Sequence, residues 1–435
     1  MLLRFAATNY ASIRERQELS LVASAALKDD EKMGGVVRRP GFKTDVLTAA
    51  GVYGANASGK TRLLCALRAM SRAVTDSHQK WDPKGGIPGQ VRNPFALHPT
   101  TRRRPTRFEA DLLAAGIRYS YSFAVDDEKV VDEELWSFPE GRRRLLFQRR
   151  LGAAIRFGRG FPRGRLLTKF LRPNSLLVST AAQNNVPNAR AVYERFASVR
   201  FVRGQNDESR FAYATSRVGE SQRSSNILLD FLRAADLGVV GIMKEVRPLS
   251  PAVREEVTRK ALQHVLREAT SIRLPNAEAR LRLLHQSPSG KPIPLRLDDE
   301  SSGTKMVIGL AFPVFEALEN GGLLLVDELD RSFHPLLAER LLDLFLTRNP
   351  RGAQIVFSTH AVMLLDQLRR DAIWFTEKQG DGSTRLFPLT DFHPRKEESV
   401  FRRYLQGRYG AVPSTQPSGI VGALRKMMSA RKRRN

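Results

Sequence analysis

The chain has 435 residues, enough for two or three structural units around a substantial core. Its 42% hydrophobic and 27% charged residues are those of an ordinary soluble globular protein, and no apolar run is long enough for a membrane-spanning helix. Lys plus Arg number 71 against 45 Asp plus Glu, a formal net charge of +26 that favours acidic partners, nucleic acid among them.

An arginine-rich genome would give the same excess. Clusters such as Arg102–Arg104, Arg142–Arg144 and the RKRRN terminus are dispersed along the chain, as solvated faces and a basic tail would be. The first residues, MLLRFAATNYASIRERQEL, turn polar too early for a signal peptide. Cys65 is the single cysteine, which rules out an internal disulfide and fits a reducing cytoplasm.

In chain order, VLTAAGVYG (46–54) reads as a buried strand and TRLLCALRAM (61–70) as the helix it feeds, with Cys65 a small buried hydrophobe on it. Pro and Gly break the pattern in WDPKGGIPGQVRNP (81–94). From Arg107 to Arg150, short alternating runs such as IRYSYSFAV predict an antiparallel meander. Helical periodicity follows in ILLDFLRAAD (227–236) and VREEVTRKALQHVLREA (253–269), and SPSGK (287–291) signals a hairpin. GLLLVDE, LLAERLLDLFL and QIVFSTH then alternate strand, helix and strand, a parallel α/β pattern.

Between the strand at 46–54 and its helix lies GANASGKT, which fits G-x-x-x-x-G-K-[ST]. Gly54, Ala55, Asn56, Ala57, Ser58 and Gly59 would turn backbone N–H groups around phosphate oxygens, and the helix N-terminus adds partial positive charge. Lys60 would neutralise the β- and γ-phosphates of ATP, and the Thr61 hydroxyl would bind Mg²⁺. GLLLVDELD (322–330) ends a buried strand in two carboxylates at the edge where open α/β sheets bind ligands. Asp327 would hold Mg²⁺ and Glu328 would orient or deprotonate the attacking water. In QIVFSTH (354–360), His360 ends another apolar strand, within reach of the γ-phosphate at the same edge.

One cluster is left over. LDDESSGTK (297–305) puts Ser301, Ser302 and Gly303 at the start of an apolar helical stretch, more small polar residues than a helix cap needs. Phosphate loop, Ser-Gly cluster, acidic strand and terminal His, in that order, resemble the ABC-type ATPase heads of the SMC, RecF and OLD proteins. The resemblance implies that the Ser-Gly cluster caps the γ-phosphate held by a second subunit, through Ser301 and the Gly303 amide. It also implies that Asp330 makes a dimer contact. NYASIRERQELSLVAS, LRPNSLLVSTAAQNN (171–185), DFHPRKEES (391–399) and YLQGRYGAVP (404–413) look like stand-alone ATPases of abortive-infection and phage-defence systems.

The cluster reads ESSGT where transporters have LSGGQ. Gln90 lies in the interval of the family's glutamine loop, within Gly/Pro-rich surroundings. The residues after His360 contain no Asp-x-Asp, so the nuclease domain of OLD proteins is not expected here.

These expectations give an α/β P-loop NTPase of ABC-head type. Its head runs from 1–80 through 286–413, split by an inserted β-meander and helical lobe at 81–285 and followed by a basic tail at 414–435. The expected activity is cytoplasmic ATP hydrolysis with Mg²⁺ in a homodimer or higher oligomer that switches an anti-phage effector, a toxin or nuclease, away from any membrane. Non-specific nucleic-acid contact stays open, and the alternative is a RecF-like DNA repair or loading ATPase.

Overall fold

The structure is a computed structural model that describes residues 1–27, 34–39, 42, 44–162, 164–203, 208–248, 277–331, 334–395 and 398–412. The helix expected at 253–269 and the tail at 414–435 lie outside the described residues.

Strands β1 (Leu2–Thr8), β2 (Gln17–Ser20), β3 (Val36–Val37), β4 (Val46–Leu47) and β5 (Ala49–Gly54) precede helix α1 (Lys60–Asp76). The meander follows as β6 (Thr106–Ala114), β7 (Ile117–Val125), β8 (Val130–Phe138), β9 (Arg144–Arg150) and β10 (Arg156–Phe157). Next come α2 (Gly164–Leu167), α3 (Leu177–Gln183), α4 (Pro187–Ala197), β11 (Val199–Arg203), α5 (Glu208–Val218) and α6 (Gln222–Ala234). A small sheet of β12 (Val239–Pro248), β13 (Ala277–His285) and β14 (Ile293–Arg296) contains the hairpin expected around SPSGK. The chain then runs through α7 (Ser302–Asn320), β15 (Leu323–Asp327), α8 (Pro335–Leu346), β16 (Gln354–Ser358), β17 (Ile373–Lys378), β18 (Thr384–Pro388) and α9 (Val400–Leu405).

Two large sheets organise these elements. One has the order β11-β15-β16-β5-β17-β18, parallel except for the antiparallel edge strand β18. Every residue of β5, β15 and β16 is buried, and their centres are apolar, as a sheet covered on both faces requires. The other sheet, β10-β9-β8-β7-β6-β1-β2, is antiparallel and alternates buried with partly exposed positions. Helix α1 packs against β1 of this sheet and against β5, β15 and β16 of the first. Its buried Leu63, Leu64, Leu67, Met70 and Val74 join the two sheets through one core. Each such side chain contributes about 1.5–3 kcal/mol when fully buried.

The expected boundary at residue 81 does not separate two bodies. The meander completes the sheet begun by β1 and β2, and β11 pairs with the acidic strand β15. Amino-terminal strands β1 and β2 alone would form a marginal two-stranded ribbon; β6 pairs the free edge of β1, and β7 to β10 extend the sheet.

Several segments noted for their resemblance act as pins. The Asn9 amide donates to the carbonyls of Thr101, Arg104 and Pro105 and its oxygen accepts from Phe95 N–H. In 171–185, the N-terminus of α3 places the N–H groups of Leu177 and Val178 on the fully buried Glu133, at 2.7 and 2.9 Å. Burial pushes the Glu133 carboxyl up, while Arg149 and these N–H donors pull it down. Tyr404 and Tyr409 stack on Phe375 of β17.

Candidate functional site

The phosphate loop leaves β5 at the carboxyl edge of the parallel sheet and enters α1 directly. Its shape needs glycine at two places. Gly54 (φ 151°) would bring a Cβ to 2.4 Å from the Thr376 carbonyl oxygen, and Gly59 (φ 109°) would bring one to 2.0 Å from Thr384 Oγ1. Ala57 sits at φ 61°, so the loop is wound in a conformation that L-residues rarely adopt. Thr376 and Thr384 brace it from the far side: Thr376 Oγ1 lies 2.7 Å from Ser58 Oγ, and Thr384 Oγ1 donates to Ser58 O at 2.9 Å.

Gly59 caps α1 without any side-chain hydrogen bond, and the first turn holds no acidic residue. An anion can therefore take the first N–H groups of a 17-residue helix. Lys60 is buried and folds back over the loop, donating to the carbonyls of Gly54 (2.7 Å) and Ala55 (3.0 Å). Burial pulls its ammonium down to about 8, opposed by attraction from Asp327, Asp330 and Glu328. Among the described residues Lys60 forms no ion pair, and a triphosphate would supply one.

Two strands away, β15 delivers the carboxylates. The buried Asp327 accepts through Oδ1 from Thr61 Oγ1 at 2.9 Å and from Ser358 Oγ at 2.7 Å. Its Oδ2 faces Arg203, at the end of β11, at 3.5 Å. Glu328 follows the strand with φ 58°, a left-handed conformation that a side chain makes costly, and its N–H donates to Ser358 Oγ at 2.8 Å. Leu329 N–H donates to the Ser358 carbonyl at 2.9 Å, so both ends of Ser358 hold this turn. The Glu328 side chain pairs with Arg331 at 2.6 Å.

Asp330 accepts from Thr359 Oγ1 (2.6 Å) and from His360 N–H (3.0 Å), which ties the acidic turn to the end of β16. Partial desolvation of the His360 ring, followed by repulsion from Lys60, holds its imidazole below the ordinary value, so it is neutral near pH 7. Lys60, Thr61, Asp327, Glu328, Asp330 and His360 therefore meet at one edge.

Ser301, Ser302 and Gly303 do not join them. Ser301 caps α7, accepting from Thr304 N–H at 3.1 Å, and α7 packs on α5, α6, β11 and β15. Among the described residues no hydrogen bond connects 301–303 to their own phosphate loop.

The residues fit a nucleotide with Mg²⁺. Thr61 and Asp327 present oxygen donors side by side, the hard-ligand type that Mg²⁺ takes one or two at a time beside phosphate oxygens. Among the described residues no group of three His, Cys, Asp or Glu side chains forms a separate cage, so the metal would be shared with the phosphates.

Four contributors were not singled out from sequence. Ser358, Thr376 and Thr384 are buried hydroxyl residues on strands of the parallel sheet, but Arg203 matters only because β11 pairs with β15. Gln90, in the interval expected for the glutamine loop, is exposed, and its carbonyl accepts from the Tyr10 hydroxyl at 3.1 Å.

A family profile described as "AAA domain, putative AbiEii toxin, Type IV TA system" matches residues 49–366. No curated protein matches the sequence. Among solved structures, the chain is similar to the SMC head domain from Thermotoga maritima at 14% identity, covering 89% of this chain and 98% of that one, with a TM-score of 0.37. It is also similar to an SMC head bound to the C-terminal winged-helix domain of ScpA, at 12% identity, 90% and 99% coverage and a TM-score of 0.45. A third is an Smc head with an extended coiled coil, bound to the C-terminal domain of ScpA derived from Pyrococcus furiosus. That match has 12% identity, 90% and 97% coverage and a TM-score of 0.41.

Proposed function

The chain belongs to the AAA-domain family described with the AbiEii toxin of type IV toxin–antitoxin systems, and on that footing we propose that it is a dimeric, ATP-driven switch. The observation that carries this reading is the split of the expected site. The phosphate-binding and acidic residues converge at one sheet edge, while among the described residues no hydrogen bond joins Ser301–Gly303, at the start of α7, to that loop. A second copy supplying its own Ser301–Gly303 would complete each site.

In this reading the loop amides and Lys60 hold the triphosphate of ATP, and Thr61 and Asp327 hold Mg²⁺, which stabilises charge on the phosphates. Glu328 accepts a proton from, or orients, the attacking water once released from Arg331. His360, neutral and at the same edge, contacts the γ-phosphate, and Asp330 lies at the subunit contact. Closure on two ATP molecules and reopening after hydrolysis would act on a partner protein. The family description supports a toxin–antitoxin or abortive-infection setting, with a toxin or nuclease as effector. Among the described residues no helix is long and apolar enough to cross a membrane.

Glu328→Gln tests the switch. The amide keeps the shape of the carboxylate but loses its basicity, so hydrolysis should slow by about 10²–10⁴-fold while ATP binding persists. Size-exclusion chromatography with light scattering should then show a persistent dimer with ATP-Mg²⁺ and not with ADP. A monomer under both conditions would remove ATP-driven dimerisation.

A further inference from the structure

A cavity of about 480 Å³ lies away from the phosphate loop, between α1, α4, β11, α5 and α7. Its size is that of small-ligand sites. One wall carries Arg68 and Arg72 of α1 and Lys80 from the turn that follows it, and the opposite side adds Arg200 of β11 and Arg210 of α5. Among the described lining residues Asp76 is the one carboxylate, shared by Arg72 at 3.2 Å and Lys80 at 3.0 Å. Arg200 is answered from outside the cavity by Glu316 at 2.9 Å. Among the described lining residues, five basic side chains stand against that one carboxylate.

The cleft also has flat surfaces. The Arg68 guanidinium lies 4.9 Å from the centre of the Phe201 ring, and Tyr213 is 37% exposed on the facing side. Guanidinium groups and aromatic faces together suit a ligand that has both phosphate and a planar base. An acidic peptide would satisfy the cations but leave the ring faces unused.

We propose that this cleft binds a nucleotide unit of single-stranded nucleic acid, phosphate on Arg72 and Lys80 and base against Tyr213. The site sits on the elements that also build the ATP site. Helix α1 starts at Lys60, β11 runs from Arg200 and Phe201 in the cleft wall to Arg203 against Asp327, and α7, capped by Ser301, carries Gly309 and Pro313 in the wall. Binding at the cleft does not depend on the ATPase reading, so the two can fail separately.

The test is fluorescence anisotropy with a labelled 12-nucleotide oligothymidylate and a fully abasic strand of equal length, without ATP, from 50 to 200 mM salt. The double variant Arg72→Gln/Lys80→Gln removes two cleft cations. Arg142→Gln/Arg165→Gln removes two exposed ones elsewhere. The cleft variant should bind at least tenfold more weakly at 50 mM salt and lose about 1.4 from the slope of log K against log salt, at roughly 0.7 per contact. The control should lose less than threefold. Tyr213→Ala should erase the preference for oligothymidylate over the abasic strand. Thymidine monophosphate distinguishes the source of the ligand: displacement at micromolar levels identifies a free nucleotide, and displacement only by strands identifies nucleic acid. Equal losses in the cleft and control variants, or equal displacement by polyglutamate, would overturn the proposal. Melting temperatures within about 2 °C of wild type keep the comparison one of binding.

Discussion

Ser358→Ala should separate the positioning of the acidic pair from nucleotide binding. Ser358 Oγ donates to Asp327 Oδ1 at 2.7 Å and accepts from Glu328 N–H at 2.8 Å, and its residue is fully buried. Alanine removes a hydrogen bond to a carboxylate, about 1.5–3 kcal/mol, and strands a backbone N–H, about 1–3 kcal/mol. Glu328 then keeps its unfavourable left-handed backbone with less to hold it. If about 2 kcal/mol of this loss falls on the placement of the two acids in the transition state, kcat drops about 30-fold. Lys60 and the loop amides are untouched, so ATP affinity should stay within threefold. The Mg²⁺ concentration for half-maximal rate should rise, because Asp327 loses one of the two donors that orient Oδ1. Phosphate release over an ATP and Mg²⁺ grid measures all three quantities, and Ser358→Thr, which keeps the hydroxyl, should restore most of the rate. A folded Ser358→Ala protein with wild-type kcat and Mg²⁺ dependence would refute the reasoning.

Lys60→Ala should weaken ATP binding about 10–100-fold and abolish turnover, since a charge-assisted contact of about 1.5–3 kcal/mol is lost; fluorescent-nucleotide titration measures it. Lys60 also sets a pH dependence. Its ammonium is down to about 8 without ligand, and a bound triphosphate would raise it, so ATP binding should take up a proton above pH 8 and weaken as pH rises. Calorimetry in buffers of different ionisation enthalpy reads that uptake. The same shift acts on folding: the unfolded chain holds this proton up to about 10.5, so the Lys60 contribution to stability rises with pH between about 8 and 10.5. Finally, Ser301→Arg and Lys60→Ala, each inactive alone, should recover part of the hydrolysis rate when mixed, because one composite site in the mixed dimer is intact. Mixtures no more active than either parent would argue against sites shared between subunits.

The local chemistry of the site was legible in the sequence because it rests on short-range rules. A glycine-rich turn between a buried strand and a helix makes an anion cradle wherever it occurs, and GANASGKT carries every residue of it. The apolar runs LLLV and IVF announce strands covered on both faces, and the polar residues that end them place Asp327 and the Ser358–His360 turn at a sheet edge. The tertiary structure alone decided which edges meet. Strand order is set by long-range pairing that leaves no local trace, so nothing near Arg203 signals that β11 lies beside β15 and presents a cation to Asp327. The same holds for the meander, whose alternating strands read equally well as a separate lobe. They belong to the sheet of β1 because a two-stranded ribbon of β1 and β2 cannot bury an apolar face without them.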